Sequence, residues 1–225
     1  MKVKIIISSL CLIILVFSCK KEKTVNLHED YFPLDKGRFV EYDVTYIFHD
    51  DLAGRHDTTN YILKTVVGDT VIDNSGRIAR KFYRYIFNNN IQQYKIKDLW
   101  TAIIDQGRAE LVEENQRMIK MIFAPTIEKE WDINAFNGYS PLLATYENIH
   151  QPFTINGHSF DSTVTVVKEK MDVSLVEYRR KSEIYSKNVG LIYKVYKDLT
   201  ITNFDTLHPK KGEELYYEVI NYGKE

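Results

Sequence analysis

The stretch VEYDVTYIF, residues 40–48, alternates its side chains with a period of two. Val40, Tyr42, Val44, Tyr46 and Phe48 lie on one side of an extended chain, and mostly polar residues lie between them on the other side. Such alternation is typical of an antiparallel strand that buries one face. The stretch therefore predicts a β-sheet protein.

The same pattern recurs along the rest of the chain. Six further stretches alternate in this way: 60–72, 77–87, 159–167, 176–186, 190–202 and 214–222. Turn-forming residues separate them, including DNSGR at 73–77 and the three asparagines at 88–90. Gly68 and Asp69 interrupt the second strand and predict a turn or a bulge there.

Residues 99–123 are the one region where a helix competes with strands. Leu111, Met118 and Ile122 belong to a set of apolar side chains that would share one helical face. Asn115 interrupts that stripe, and the ENQ sequence around it is typical of a turn. We therefore predict three short strands in this region.

These strands predict a mainly β protein with a single antiparallel meander. The 16 tyrosines and 11 phenylalanines suit pleated surfaces better than helices. A meander that curls into a barrel or half-barrel buries one face and limits its exposed edges. We expect one β-rich domain over residues 31–225.

The first 18 residues have the pattern of a cleaved signal peptide. Lys2 and Lys4 precede an apolar run, Ile5–Phe17, that is short for a membrane span of roughly 20 residues. Val16, Phe17 and Ser18 before Cys19 resemble the lipobox of bacterial lipoproteins. This resemblance implies cleavage before Cys19 and acylation of its thiol, as by palmitate.

Cysteine usage agrees with that interpretation. Cys11 lies inside the predicted signal, so the processed chain keeps Cys19 alone and cannot form an internal disulfide. Residues 19–30 are polar and without periodicity, which predicts a flexible tether behind the lipidated Cys19. Cleavage leaves 28 basic and 31 acidic residues, a formal charge of −3 that argues against a nucleic-acid partner.

Three phrases resemble recurring stretches of Bacteroidota-type outer-membrane lipoproteins of unassigned function. They are YFPLDKGRFVEYDV at 31–44, EKEWDINAFNG at 128–138 and EIYSKNVGLIYKVY at 183–196. The resemblance implies a lipid-anchored, β-rich envelope protein in the outer membrane and supplies no catalytic residues. Whether it faces the periplasm or the cell surface stays open. We interpret Trp131 as a core or loop-plugging residue, and Asn188 with Gly190 as a turn.

One loop concentrates residues that are able to bind metals. FHDDLAGRHD at 48–57 carries His49, Asp50, Asp51, His56 and Asp57, and a hairpin would bring its two ends together. Two strands also need a solvated polar connection, and no further ligand cluster supports a metal site. We therefore predict a solvated loop, with His49, Asp51, His56 and Asp57 as weak metal candidates.

Catalytic and cofactor-binding patterns do not emerge from the sequence. The chain has no Gly-x-Ser-x-Gly elbow, Walker loop or dinucleotide-binding turn. The acidic pairs Glu113-Glu114 and Glu213-Glu214 point to opposite faces of a strand, so we interpret them as turn and surface charges. We expect a protein that is not an enzyme and carries no cofactor.

Two functional hypotheses remain. The first is a non-catalytic envelope module that binds a partner protein or has a structural role, attached to the membrane through its N-terminal lipid. The second is a carrier or sensor that holds an apolar ligand inside the curled sheet. A concave interior with room for an acyl chain would favour the second hypothesis, whereas a filled core would count against it.

Overall fold

The computed structural model describes residues 25–225, apart from the side chains of residues 170–172. Twelve strands form a single sheet. They are β1 (Arg38–Asp50), β2 (Arg55–Ile72), β3 (Ile78–Asn88), β4 (Gln93–Asp105), β5 (Arg108–Glu113), β6 (Gln116–Ile122), β7 (Glu130–Asp132), β8 (Leu143–Ile155), β9 (His158–Val173), β10 (Glu177–Ser186), β11 (Gly190–Thr200) and β12 (Lys211–Lys224). The predicted signal peptide at 1–18, Cys19 and the first part of the tether lie outside the described residues.

The sheet is an antiparallel meander that forms a nearly closed barrel, as the alternation predicts. Every strand pairs with its neighbour in sequence except β6 and β7, and β1 also pairs with β12, from Arg38 opposite Lys224 to Asp50 opposite Lys211. The first and last strands therefore lie in the middle of the sheet. Its two edges are β6 and β7.

Those two edges meet without a continuous ladder, along a line that we call the seam. The Ile119 amide on β6 donates to the carbonyl of Ile133 just after β7, over 3.0 Å. The Trp131 indole donates to the Ile119 carbonyl at 3.2 Å. The Tyr146 hydroxyl donates to the Ile122 carbonyl at 2.6 Å and accepts from the Ile122 amide at 2.9 Å. Side chains thus supply most of the bonds that a strand ladder would otherwise make.

Two local predictions for the first half of the chain are confirmed. Residues 99–123 fold as β4, β5 and β6, with a turn at Glu114 and Asn115, both of which have positive φ. The β2–β3 register shifts between Val67 and Thr70, which is the predicted irregularity at Gly68. Helical structure within residues 25–225 consists of two three-residue 3-10 turns, at Glu29–Tyr31 and Asp51–Ala53.

The apolar core has two parts. The larger cluster lines the inside of the barrel near the seam and includes Ala102, Leu111, Met121, Trp131 and Val166. The smaller cluster joins β1, β2 and β12 to the β8–β9 hairpin, with members that include Val44, Leu63, Phe160 and Val219. Trp131 is therefore a core residue, which is one of the two roles predicted for it from the sequence.

The residues before β1 pack into one end of the barrel, which we call the Tyr31 end. Tyr31 is fully buried, and its hydroxyl lies 2.6 Å from His150 Nδ1 and 2.9 Å from Ser162 Oγ. The Asp30 carbonyl accepts from the Asn188 amide at 2.7 Å, in the turn between β10 and β11. Because the strands alternate in direction, the tip between β1 and β2 lies at the opposite end.

Candidate functional site

A cavity of about 90 Å³ lies inside the barrel and extends toward the Tyr31 end. Part of its wall is apolar or aromatic and is formed by side chains that include Phe32, Phe39, Tyr42, Phe82, Trp100 and Leu191. The remaining wall carries charges, on Arg38, Arg84, Glu113, Lys120, Glu183 and Lys194. The interior of this barrel is therefore partly charged.

Strand alternation explains how charged side chains reach the interior. Glu113 follows Ala109 and Leu111 on the inward face of β5. Lys168 likewise follows Val164 and Val166, which are both fully buried on β9. On both β5 and β9, the charged side chain thus continues a strand face whose earlier residues are apolar.

Pairing between strands then brings the charges together. Glu183 on β10 lies directly opposite Lys194 on β11 and opposite Val166 on β9. Lys120 reaches the same point from β6. The cluster therefore joins strands that are far apart in sequence, and it forms only when the barrel is assembled.

Glu183 is the centre of this charged cluster. Its Oε1 atom lies 2.6 Å from Lys168 Nζ, 3.1 Å from Lys120 Nζ and 4.0 Å from Lys194 Nζ. The Tyr185 hydroxyl donates to Oε2 over 2.7 Å. Burial alone would raise the pKa of Glu183, but the three ammonium groups outweigh burial and hold that pKa well below its usual range. Glu183 is therefore an ionised carboxylate.

The lysines of the cluster differ in how well they are paired. Lys120 lies between Glu183 and Glu113, whose Oε1 is 3.0 Å from its Nζ, and the two carboxylates raise its pKa although burial opposes them. Burial lowers the pKa of Lys168 to about 7, with Glu183 opposing the shift and Lys120 and Lys194 adding to it. Burial also lowers the pKa of Lys194. Among the described residues, the three lysines of the cluster thus share two carboxylates.

Arg84 is a further cation of the cavity wall, and Asp98 already neutralises it. Its guanidinium donates to Asp98 at 2.7 Å and to the Tyr217 hydroxyl at 3.0 Å. The same group lies 3.9 Å from the centre of the Trp100 ring, which adds a cation–π contact. Arg84 therefore has a structural role in holding β3, β4 and β12 together.

A second buried carboxylate, Glu110, shows what a fully paired site looks like in this protein. It lies on the face of β5 opposite to Glu113 and has no exposed surface. Arg108 and Arg117 donate to it over 2.6–2.8 Å, and Arg77 lies 3.1 Å away. Its arginines pack over the Phe136 ring, so this cluster fastens the β7–β8 connection across the seam.

The loop residues singled out from the sequence are brought together only in part. His49 and His56 are opposite one another on β1 and β2, with their Nδ1 atoms 3.1 Å apart. Asp51 lies 3.7 Å from His56, whereas Asp57 pairs with Arg55 at 2.6 Å. Among the described residues, no group of three or more histidine, cysteine or acidic side chains is arranged to hold a metal ion.

Two carboxylates are more buried than the sequence suggested. The interpretation of Glu113 as a turn or surface charge is wrong, because alternation along β5 places its side chain on the inward face, 3.0 Å from Lys120. Glu214 is also buried, and it lies 3.0 Å from His49 Nε2 and 2.8 Å from Lys197 Nζ. Their neighbours Glu114 and Glu213 are exposed, as predicted.

The chain matches no family model, no curated protein and no solved structure. Within residues 25–225, no helix is both long enough and apolar enough to cross a membrane.

Proposed function

We propose that this chain is a lipid-anchored envelope protein of the outer membrane, and that its barrel is a non-catalytic module that binds a small ligand. The cavity in the barrel interior supports the ligand-binding part of this proposal. It combines an apolar and aromatic wall with a few polar groups, which is the usual composition of a small-molecule site. The sequence around Cys19 supports the lipid-anchoring part of the proposal.

The size of the cavity favours a small ligand over a long acyl chain. At about 90 Å³ it is smaller than the cavity of about 150 Å³ that admits benzene in an engineered protein core. Its wall also contains Lys120, Glu183 and Lys194, and charged groups would be costly to leave against hydrocarbon. A carrier of apolar chains is therefore the less favoured of the two hypotheses.

The cavity also has a position that fits the proposed anchor. Phe32, Pro33 and Leu34 line it and belong to the segment that follows the tether. An anchored Cys19 would stand 12 residues before Tyr31, which limits its reach to about 40 Å. The Tyr31 end of the barrel would then face the membrane.

Membrane fractionation tests the anchor. The variant Cys19→Ala should leave the membrane fraction or accumulate unprocessed, and it should lose incorporation of labelled palmitate. A Cys11→Ala variant, altered inside the predicted signal, is the matched control and should remain membrane-bound and labelled. Acyl labelling that persists in Cys19→Ala would refute the lipid assignment.

Native mass spectrometry of the protein released from membranes tests the binding module. We expect a bound small molecule of defined mass that is lost on unfolding. A pull-down from the same membranes tests the alternative within this proposal, in which a partner protein occupies the module. Preparations that carry neither a small molecule nor an enriched partner would contradict a binding role.

A further inference from the structure

The ammonium of Lys194 is the one cluster cation that faces the cavity without a close carboxylate. Its nearest carboxylate oxygen among the described residues is Glu183 Oε1, at 4.0 Å, beyond hydrogen-bonding distance. The side chain is 25% exposed, and it lines the cavity. An ammonium has three donors, so Lys194 has free capacity directed at this space.

The other two lysines of the cluster are already engaged. Lys120 contacts both Glu113 and Glu183 at 3.0–3.1 Å. Lys168 is held by Glu183 at 2.6 Å. In the part of the chain that the structure describes, the cluster has three lysine side chains and two carboxylates, so one lysine lacks a carboxylate of its own. Buried or partly buried charges in proteins are normally paired, and this one is left for a group from outside.

We propose that the ligand of this cavity carries a small anionic group, such as a carboxylate, that binds the ammonium of Lys194. This inference rests on the proposed function and specifies the chemical class of its ligand. A carboxylate at this position supplies the missing negative charge and accepts charge-assisted hydrogen bonds from the ammonium. The cluster then contains three lysine side chains and three carboxylates.

The wall next to Lys194 indicates what the rest of the ligand is like. The Tyr217 ring lies 5.3 Å from Lys194 Nζ, and Tyr42 and Leu191 continue the surface. The Tyr42 hydroxyl donates to the Leu191 carbonyl at 2.9 Å, so it presents its ring rather than a free hydroxyl. A short apolar body therefore suits the remaining space, and the ligand class is a short-chain carboxylate.

Equilibrium dialysis with radiolabelled butyrate tests this inference on the full-length protein in detergent. We expect saturable uptake of one butyrate per chain. Unlabelled propionate should displace it, whereas butyramide, which has the same shape and no charge, should displace it at least tenfold less well. This comparison needs no variant, so it holds even if a substitution prevents folding.

Variants at Lys194 and at a remote lysine complete the test. Lys194→Met keeps the length of the side chain and should weaken butyrate binding at least tenfold, with circular dichroism confirming that it folds. Lys95→Met, altered at an exposed lysine of β4, should bind as the unaltered protein does. Undiminished binding in Lys194→Met would overturn the assignment of the anion site.

The remaining outcomes separate this inference from the proposed function. If butyramide displaces butyrate as well as propionate does, the cavity binds ligands but does not select for charge, and only the inference fails. A neutral molecule found by native mass spectrometry would lead to the same conclusion. If no carboxylate from formate to butyrate binds and no small molecule copurifies, both the inference and the small-ligand function are overturned.

Discussion

Glu183 is the residue on which the interior of the barrel depends most. Three lysines from three other strands approach its carboxylate, and Tyr185 donates to it from its own strand. A carboxylate in such a place satisfies several cations at once. Removal of its charge would leave ammonium groups facing each other in a space with little water.

We predict that Glu183→Gln lowers the free energy of unfolding by about 3–5 kcal/mol, because it breaks a buried ion cluster from one side. Urea denaturation monitored by circular dichroism measures the change. Glu128→Gln, at an exposed glutamate between β6 and β7, is the control and should shift stability by less than about 0.5 kcal/mol. A loss below about 1 kcal/mol for Glu183→Gln would contradict the central role of this carboxylate.

The effect of Glu183 should also be coupled to that of Lys168. When Lys168→Met is added to Glu183→Gln, one unpaired cation disappears, so the double variant should be more stable than Glu183→Gln alone. Purely additive losses in this double-mutant cycle would indicate that the two side chains act independently.

The depressed pKa of Lys168 predicts how stability depends on pH. Its pKa is about 7 in the folded chain against an ordinary 10.5, so between those values the unfolded chain binds more protons. The free energy of unfolding should therefore rise with pH in this window. We expect a rise of about 1–2 kcal/mol between pH 7 and pH 9, below the range in which tyrosines ionise.

Urea denaturation at pH 7, 8 and 9 measures this rise, and Lys168→Met is the matched variant. Glu183, Lys120 and Lys194 face Lys168 and stay in place in that variant, so the rise should become shallower when the Lys168 amine is removed. The same slope in both proteins would assign the pH dependence to other groups.

Among the elements, the seam between β6 and β7 is the part of the barrel with the fewest backbone bonds. The Ile119–Ile133 hydrogen bond is supplemented by Trp131, Tyr146 and the β7–β8 connection, where Asn137 donates to the Arg117 carbonyl at 3.0 Å. Each of these side chains satisfies a main-chain group on the exposed edge of β6. The seam therefore depends on individual residues more than any paired strand does.

We predict that Tyr146→Phe destabilises the protein by about 1–3 kcal/mol, because both the amide and the carbonyl of Ile122 lose their partner in a partly buried site. Hydrogen exchange at the Ile122 amide should accelerate more than exchange in β1. Tyr139→Phe, at an exposed tyrosine in the β7–β8 connection, is the control and should be close to neutral. Unchanged exchange at Ile122 would show that Tyr146 does not hold the seam.

The strands could be predicted from the sequence because the alternation of apolar and polar residues is a local pattern. The pattern at 40–48 lies inside β1, and the ENQ turn separates β5 from β6. The inward charges were harder to recognise. Lys168 continues the face of Val164 and Val166, which is a local signal, but its carboxylate partner is on another strand. The sequence alone does not show that Glu183 lies beside Lys168.

Longer-range contacts explain most of what the sequence could not reveal. His49 lies 3.0 Å from Glu214, a residue 165 positions away, and Tyr31 meets Ser162 across 131 positions. Strand periodicity specifies which face a residue occupies but not which distant strand lies beside it. The barrel therefore followed from the pattern, whereas the cavity and its charge did not.

At the scale of the whole molecule, the two ends of the barrel differ. At the Tyr31 end, the Asn188 turn is bound by Asp30 and by the Arg38 guanidinium, and Tyr31 fills the space behind it. At the opposite end, Leu52 at the tip between β1 and β2 is fully exposed, and the tip is bound to the β11–β12 connection through Asp51 and Lys210. Both ends are thus bound to a distant part of the chain, but among the described residues only at the Tyr31 end does a fully buried side chain pack behind the turn.

We predict that the same four-residue Gly-Ser insertion has different effects at the two ends. After Leu52 it should lower the free energy of unfolding by less than about 1 kcal/mol, because loops tolerate added length. After Asn188 it should cost at least about 2 kcal/mol, since it separates the turn from two hydrogen-bond partners. Thermal and urea denaturation of both variants make the comparison. Equal losses would contradict the asymmetry.

The position of β1 has a mechanical consequence. A pull on the segment before β1 first loads the bonds of Asp30 and Tyr31 at the end of the barrel. Only after these yield does the load reach β1, which is hydrogen-bonded to β2 on one side and to β12 on the other. Tension is thereby divided between two ladders in the middle of the sheet, far from the weaker seam. Force applied at this end therefore does not act first on the seam, where the barrel would open.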